Sequence, residues 1–431
     1  MRVSAIYYHP GNLLHLLFFP RMTISEIASA NSISSVDSPS FISTQVATPH
    51  EAYLARAAAV RARSSVQSAK ARHQLPSGLP TYNYLLCAAN RRNYLATYST
   101  TDAAFYEQVM QHRDWASLDE EEEEAYEMTQ LTGDMSFLVD IHTRPRVFCT
   151  LHLGSYRLIN HFLVRHGVQF TLVVDNATLE QQGAKFLALH AASSAYAGCT
   201  FRILNAESAS IGLQMIREIK AGRSLLFYID GNTGVGGMGR QDEKVVPISF
   251  LDRHILARKG IAFLAHVTRS PIVPVAAFRH DEVNFEMHFF VPIVPDAQKP
   301  REAFAAETTQ HIFDLFATLL RRYPEQWEGW LYMNHFVDQA ALHQKYAPQP
   351  GAAERPVHPV FNQERYAIFC QADSLQLFDQ FTYQSFNISE QLAALLRQLD
   401  TLPTEVQRRF TLMPVFQDLC NRQVIMAASV A

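Results

Sequence analysis

A histidine and an aspartate each stand where a predicted strand ends. The apolar residues 147–151 predict a buried strand followed at once by His152, and residues 224–229 predict a second strand followed by Asp230. Loops at the carboxyl edge of an open α/β sheet bind ligands, so both side chains are candidates for a functional site. Imidazole titrates near neutral pH and can take a proton from a hydroxyl or an amine. A histidine after a strand is also common as a structural residue, and the position alone leaves both interpretations open.

Strands and helices alternate through the middle of the chain. Hydrophobic patterning predicts strands over residues 147–151, 170–174, 201–204, 224–229 and 272–278, and helices over residues 156–166, 179–197, 211–221, 255–268 and 303–322. This alternation predicts an α/β fold with a central mixed sheet flanked by helices. The acidic run 119–124 predicts the start of a helix, because carboxylates favour the positive end of the helix dipole.

Composition changes divide the chain into four parts. Residues 22–48 are rich in Ser, Thr and small residues, so residues 1–48 are predicted to be a loosely ordered lead-in, and residues 49–340 to form the main α/β domain. Residues 341–364 contain Pro and Gln and predict a linker. Residues 365–431 predict a small α+β module with two short strands followed by helices. Its size is that of a winged-helix module or of a module that recognises a carrier protein or a peptide.

The overall composition favours a globular protein of the cytoplasm. The chain has 431 residues, of which 48% are hydrophobic, and a formal net charge of -4, which gives no reason to expect nucleic acid as a partner. Its five cysteines lack CxxC spacing, and an odd number fits reduced thiols. No apolar run approaches the roughly 20 residues of a transmembrane helix. The eighteen histidines form no HExxH or Cys-His pattern, so we predict neither a metal nor a cofactor.

Three weaker motifs favour simpler interpretations. Residues 234–239 satisfy GxGxxG after a strand, but no helix pattern follows, and a lid is the better interpretation than a nucleotide site. Cys149 and His152 stand three residues apart and face opposite sides of a strand, which argues against a Cys-His nucleophilic pair. Ser155 lacks the G-x-S-x-G context of a nucleophile elbow.

Four blocks, taken in order, give the sequence a family likeness. They are the His152 block at residues 147–157, Asp230 with Gly231, Pro271 to Val275, and the Tyr-Pro-Glu-Gln run at residues 323–326. Together they resemble the lysophospholipid acyltransferase superfamily, most closely the bacterial late (lauroyl and myristoyl) acyltransferases of lipid A synthesis. The likeness covers residues 147–336.

The resemblance implies an acyltransferase with a glycerolipid acyltransferase-like fold. The donor would be an acyl carrier protein or coenzyme A thioester, used as a substrate. His152 would be the catalytic base, and the backbone N–H groups near Ser155 would help to hold the oxyanion. The residues expected to bind substrate are Gly154, Ser155, Arg157, Asn232 and Arg240. Arg253, Arg258 and Lys259 either bind donor phosphates or the carrier, or form a solvated basic face.

The sequence departs from the family pattern at two places. Arg157 stands where the family has an acid, so Asp230 is the candidate to orient His152. A cation at this position lowers the pKa of His152 and suits a phosphate or carboxylate of the substrate. Residues 174–177 and 331–336 lack the basic groups that hold the lipid A acceptor. We therefore expect a soluble acceptor from specialised-metabolite biosynthesis, carried on a carrier protein or a peptide.

Two alternatives remain open from the sequence. The chain could be a membrane-peripheral lipid acyltransferase, docked by the apolar stretch Ile6 to Phe19 and by a Phe-rich surface around Phe289. It could also be a non-catalytic scaffold that binds acyl groups or carriers through residues 365–425, since Arg157 replaces the family acid.

Overall fold

The computed structural model describes residues 47–73, 78–192, 199–234, 242–347, 356, 358–372 and 374–427. This part of the chain contains α-helices and strands in alternation. The helices are α1 Pro49–Arg72, α2 Tyr82–Tyr94, α3 Asp102–Glu121, α4 Glu123–Glu127, α5 Leu158–Arg165, α6 Asn176–Ala192, α7 Ile211–Lys220, α8 Gly260–Thr268, α9 Arg301–Arg322, α10 Gln339–Lys345, α11 Glu390–Arg397, α12 Thr404–Thr411 and α13 Pro414–Asn421. The strands are β1 Thr129–Gly133, β2 Val147–Thr150, β3 Phe170–Val174, β4 Phe201–Asn205, β5 Ser224–Tyr228, β6 Val245–Phe250, β7 Arg253–Arg258, β8 Ile272–Arg279, β9 Phe285–Phe289, β10 Pro359–Phe361, β11 Tyr366–Gln371, β12 Ser374–Asp379, β13 Gln384–Asn387 and β14 Ile425–Ala427.

Seven strands form the central sheet in the order β1-β9-β8-β2-β5-β3-β4. Strands β8, β2, β5, β3 and β4 run parallel, while β9 is antiparallel to β8 and parallel to β1. The inner strands β2, β3 and β8 are buried at every position, as expected for a sheet covered on both faces. The predicted α/β class, with a mixed sheet flanked by helices, is confirmed.

Two apolar cores lie on the two faces of the sheet. Side chains alternate along β2, so that Cys149 points into one core and Phe148 into the other. The first core is completed by α2, α8, α9 and the segment 324–337, and the second by α1 and α5. The carboxyl ends of the parallel strands remain free to carry a site between these layers.

Two predicted helical segments differ in detail from the structure. The helix predicted over residues 255–268 begins as strand β7, which pairs antiparallel with β6, and only α8 is helical. Burial of Ile255 and Ala257 follows the two-residue period of a strand. The acidic run 119–124 lies at the junction of two helices: residues 119–121 end α3, while Glu123 and Glu124 form the first turn of the short α4. Its first member, Asp119, is buried against Arg279 at 2.5 Å.

The C-terminal module, residues 358–427, is a three-stranded antiparallel sheet with helices. Strands β11, β12 and β13 follow each other in order, and helices α11, α12 and α13 share a separate core with the sheet. Strand β14 returns to pair with β10. The stretch 341–364, assigned to a linker, therefore contributes β10 to the module and most of α10 to the structure.

None of the helices among the described residues is long and apolar enough to cross a membrane. The stretch Ile6 to Phe19 lies outside the described residues, as does all of the predicted lead-in except Ala47 and Thr48. Phe289, the centre of the predicted Phe-rich surface, is not part of a surface, because its side chain is fully buried in the core between α5 and the sheet.

Candidate active site

His152 and Asp230 meet at the carboxyl edge of the sheet. β2 and β5 are neighbouring parallel strands, so the residues that follow them lie side by side. Nδ1 of His152 is 2.8 Å from Oδ1 of Asp230, and the backbone N–H of His152 donates to Oδ2 of the same carboxylate at 2.9 Å. The carboxylate therefore fixes both the loop and the imidazole ring.

Asp230 is completely buried and accepts two further hydrogen bonds. The indole Nε1 of Trp327 donates to Oδ2 at 2.7 Å, and the hydroxyl of Tyr332 lies 3.3 Å from the same oxygen. Burial by itself raises the pKa of Asp230, but the positive charge of His152 and the hydrogen bonds from His152 and Trp327 outweigh it. The net result is a lowered pKa, so the carboxylate is ionised at neutral pH.

Two opposing effects act on the pKa of His152. Burial lowers its pKa, while the charge and hydrogen bond of Asp230 raise it, and Glu328 adds to the rise. Arg157 lowers the pKa as predicted from the sequence, but its effect is smaller, and the net shift is upward. The ring stacks on Tyr228 at 4.8 Å and meets the edge of Tyr156 at 4.8 Å. These contacts restrict the orientation of the ring.

The tautomer of His152 follows from its contacts. Because Asp230 is ionised and accepts, Nδ1 carries the proton and donates to it. The Tyr332 hydroxyl, 3.1 Å from Nδ1, then has Asp230 as its acceptor. In the neutral ring Nε2 is then the lone-pair acceptor, and a quarter of the His152 side chain is exposed. A base in this state can take a proton from a molecule in the adjoining cavity.

Arg157 belongs to an ion-pair cluster with Glu120 and Lys185. Its Nη1 donates to Oε2 of Glu120 at 2.7 Å, and Nζ of Lys185 binds the same oxygen at 3.1 Å. The guanidinium also lies over the ring of Tyr156. Arg157 lines the cavity, but its charge is already matched by Glu120, a member of the acidic run 119–124.

The glycine and serine after His152 have mainly structural contacts. Gly154 has a φ of +58°, and a Cβ there would lie 2.7 Å from the carbonyl oxygen of Ala277. Its N–H donates to the carbonyl of Gln326 at 2.8 Å, so it is not available to a substrate. Ser155 is fully buried, and its hydroxyl has no hydrogen-bond partner within the described part of the chain.

Asn232 links the Asp230 loop to the β6–β7 hairpin. Its backbone is left-handed, with a φ of 45°, and the side chain is 4% exposed. The Nδ2 group donates to the carbonyl of Leu256 at 3.1 Å, and Oδ1 accepts the N–H of Arg258 at 3.1 Å. The Asn232 side chain thus bonds to the backbone of β7 much as a neighbouring strand would. Asn232 also lines the cavity.

The predicted basic cluster is divided by the structure. Arg258 and Lys259 line the cavity beside His152, and Lys259 pairs with Glu302 at 2.6 Å. Arg253 begins the strand that Arg258 ends, roughly 16 Å away. It donates to Oδ1 of Asn93 at 2.8 Å and does not line the cavity. Arg240 lies outside the described residues.

A cavity of about 2110 Å³ opens in front of His152. Its walls come from the carboxyl edge of the sheet, from α6 to α8, and from the C-terminal module. Apolar lining is supplied by Leu172, Phe186, Met215, Ile216 and Phe263. A pocket for one small ligand is typically about 300–1,000 Å³, so this cavity has room for two reactants or for one long chain.

A scan of the sequence against protein-family models found no match, and a search of the curated proteins also found none. The likeness to the acyltransferases therefore rests on the four sequence blocks alone. In the structure, two of those blocks supply His152 and Asp230. The Tyr-Pro-Glu-Gln block instead makes structural contacts through Gln326. Oε1 of Gln326 accepts from the backbone N–H of Arg279 at 2.9 Å, and Nε2 donates to the Arg279 carbonyl at 2.7 Å.

Several residues around the dyad were not found from the sequence. They are Trp327, Tyr332, Tyr228, Tyr156, Glu328 and Glu120. Only Trp327 had a signal, since it follows the Tyr-Pro-Glu-Gln block directly. Cys149 is fully buried, and burial raises the pKa of its thiol, which fits a core residue. Within the described ranges, no group of three His, Cys, Asp or Glu residues could hold a metal ion.

Proposed function

We propose that this chain is an acyltransferase that moves an acyl group from a thioester to a hydroxyl or an amine. The observation that carries the proposal is the His152–Asp230 pair, with Nε2 of His152 left for a cavity that is largely apolar. An apolar cavity accommodates an acyl chain, and an oriented imidazole is the group that acyl transfer needs. On this proposal the sheet is that of the glycerolipid acyltransferases, and the chain is a divergent member of that superfamily.

The proposed reaction uses His152 first as a base and then as an acid. Nε2 takes the proton of the acceptor as its oxygen or nitrogen bonds to the thioester carbonyl carbon. The tetrahedral intermediate then breaks the carbon–sulfur bond, and the imidazolium returns the proton to the thiolate. Asp230 stabilises the imidazolium between the two steps, because it is ionised and hydrogen-bonded to Nδ1. The products are the acylated acceptor and a free thiol.

The oxyanion is assigned to the backbone before α5. None of the backbone hydrogen bonds between described residues uses the N–H of Ser155 or Tyr156 as a donor. Both groups lie within four residues of His152, and N–H groups at this place favour a developing negative charge. Gly154, whose N–H is engaged by Gln326, is not part of this assignment.

The donor is assigned to coenzyme A or an acyl carrier protein. Arg258 and Lys259 line the same cavity as His152 and supply positive charge for a phosphate or for an acidic carrier surface. We further propose that the acceptor is soluble and belongs to a specialised-metabolite pathway, and that the reaction takes place in the cytoplasm. The composition of the chain and the lack of a basic acceptor site in residues 174–177 and 331–336 support this.

The decisive experiment compares three proteins in one assay. Wild type, His152→Ala and His254→Ala are incubated with a series of acyl-coenzyme A donors and a panel of hydroxyl and amine acceptors, and products are measured by mass spectrometry. His254 is an exposed histidine on β7 outside the cavity and serves as the matched control. Product formation or slow thioester hydrolysis in wild type and His254→Ala, lost in His152→Ala, supports the proposal. Equal turnover in all three removes His152 from the mechanism.

A membrane-peripheral lipid acyltransferase is a second candidate, favoured by two exposed apolar side chains at the cavity. Leu213 on α7 and Val267 on α8 line the cavity and are 61% and 42% exposed. Such side chains could enter a lipid surface. Flotation with phosphatidylglycerol vesicles separates this candidate from the soluble one, because only a peripheral enzyme floats and loses flotation in Leu213→Ser.

A non-catalytic acyl-binding scaffold is the third candidate. It is favoured by the cation Arg157 at the place of the family acid. Tight binding of a thioester without any turnover in wild type would establish the scaffold and reject the enzyme.

A further inference from the structure

The two faces of the three-stranded sheet in the C-terminal module face different parts of the protein. Pairing places Gln371 opposite Ser374, Gln376 opposite Phe369 and Asn387, and Phe378 opposite Ser385. Because side chains alternate, these residues all belong to one face. The other face carries Ile368, Leu377 and Phe386, which pack on the helices of the module.

The first face is itself divided into an apolar part and a polar part. Phe369 and Phe378 pack on Tyr82 of α2, each with ring centroids 5.4 Å apart. Asn93, also on α2, donates to the carbonyl of Gln380 at 2.9 Å and contacts the hydroxyl of Tyr383 at 3.1 Å. These contacts hold the module on the α/β domain.

The polar part of this face lies over the cavity. We name it the polar patch, and it consists of Gln371, Ser374, Gln376, Ser385 and Asn387, all of which line the cavity that contains His152. Ser374 and Asn387 are exposed and the other three are half-buried. The Gln376 and Asn387 amides are hydrogen-bonded to each other across the strands. The C-terminal module thus supplies one wall of the cavity.

The chemistry of the polar patch differs from that of the basic residues that line the same cavity. Its side chains are amides and hydroxyls without charge, and each type both donates and accepts hydrogen bonds. Arg258 and Lys259, on β7 and before α8, carry the positive charge that suits donor phosphates. A neutral wall would desolvate a phosphate without compensating it, whereas amide or hydroxyl groups of a ligand would be matched.

We infer that the polar patch binds the acyl acceptor, and that the part of the acceptor in contact with it is an uncharged group rich in amides or hydroxyls. This inference rests on the proposed acyl transfer for the word acceptor, but the contact itself does not depend on catalysis. The C-terminal module then determines which acceptor reaches His152. The α/β domain determines the donor.

The test uses decanoyl-coenzyme A as donor and N-acetylserinamide, an uncharged probe with two amides and one hydroxyl, as acceptor. Glycerol 3-phosphate is the charged comparator. The variant is Gln376→Leu combined with Asn387→Leu, which removes both amides and leaves neither without its partner. The matched control is Gln398→Leu, at an exposed position of the same module outside the cavity.

We expect N-acetylserinamide to accelerate consumption of the thioester by wild type and by Gln398→Leu. In the double variant the ratio of this acceleration to hydrolysis by water falls about tenfold, because two hydrogen bonds to the acceptor are lost. An undiminished acceleration in the double variant, or an acceleration by glycerol 3-phosphate alone, overturns the inference.

A second measurement remains informative if wild type turns over no thioester, the outcome that rejects the proposed function. Hydrogen–deuterium exchange over residues 374–387 is recorded for wild type, the double variant and Gln398→Leu with N-acetylserinamide. Protection in wild type and Gln398→Leu, lost in the double variant, supports the polar patch as a binding site. Exchange that the probe leaves unchanged in wild type overturns it.

Discussion

The indole of Trp327 donates a hydrogen bond of 2.7 Å to the carboxylate of Asp230, 97 residues away in the chain. The same carboxylate accepts a hydrogen bond from Nδ1 of His152, so Trp327 acts on the imidazole through Asp230. Trp327 is 1% exposed and also packs on Phe250. On the proposed mechanism Trp327 is a positioning residue, which differs from a packing role in its effect on the pH profile.

Trp327→Phe should lower kcat/KM by roughly tenfold and move the acid limb of the pH profile upward. The phenyl ring keeps most of the packing but removes one donor from Asp230, whose pKa Trp327 helps to lower. A less stabilised carboxylate attracts the imidazolium more strongly and raises the pKa of His152 further. The measurement is kcat/KM for acyl transfer as a function of pH.

Trp330→Phe is the matched control for this prediction. Trp330 is equally buried, but its Nε1 donates to the carbonyl of Pro324 at 2.6 Å rather than to the dyad. Both variants should lose about 1–3 kcal/mol of unfolding free energy, since each loses a buried hydrogen bond. A pH profile that moves in both variants, or in neither, contradicts the positioning role.

Asp230→Asn should lower kcat by about 10³- to 10⁴-fold and move the acid limb of the pH profile to lower pH. Burial lowers the pKa of His152, and in wild type the charge of Asp230 outweighs it. Without that charge, burial is unopposed and the imidazole stays neutral to lower pH. The imidazolium formed in the reaction is then no longer stabilised. A profile that keeps its acid limb in place would show that another group raises the pKa.

The meeting of His152 and Asp230 could be approached from the sequence, whereas the position of Trp327 could not. Both dyad residues follow apolar strands, and parallel strands end at the same edge of a sheet. Trp327 reaches this edge only after α9, when Gln326 pairs with the backbone of Arg279 and Leu153 bridges to Trp327. These are single long-range contacts without a periodic signal.

The same limit applies to the partners of the charged residues. Arg157 invites a role in binding an anion when only its neighbours in sequence are visible. Its partner Glu120 lies 37 positions earlier, in a run of acids that is typical of a solvated surface. Strand β7 is not evident from the sequence, because its burial pattern depends on pairing with β6. The two hydrogen bonds from the Asn232 side chain to the backbone of β7 are likewise not predicted by any local propensity.

Asp119→Ala should lower the free energy of unfolding by about 3–5 kcal/mol. Arg279 is 1% exposed, and Asp119 is its carboxylate partner at 2.5 Å, with the hydroxyl of Tyr53 bonded to both. Removing the carboxylate leaves a buried guanidinium without its counter-charge. Glu122→Ala is the control, because its pair with Arg56 is largely exposed and should contribute about 0–1 kcal/mol. Denaturant unfolding of both variants gives the comparison, and equal losses would mean that the buried pair is not specifically stabilising.

Arg258→Gln should raise the KM for an acyl-coenzyme A donor by roughly tenfold, whereas Arg253→Gln should leave it unchanged. The two arginines occupy the two ends of β7, and only Arg258 lines the cavity. Because the proposed contact is with phosphates, the donor KM of wild type should also rise with salt, and this dependence should weaken in Arg258→Gln. Steady-state kinetics at several ionic strengths test both statements.

Arg253→Gln should instead destabilise the module, because Arg253 binds Asn93, which in turn holds Gln380 and Tyr383. A higher donor KM in Arg253→Gln than in Arg258→Gln would place the donor phosphates at the other end of the hairpin.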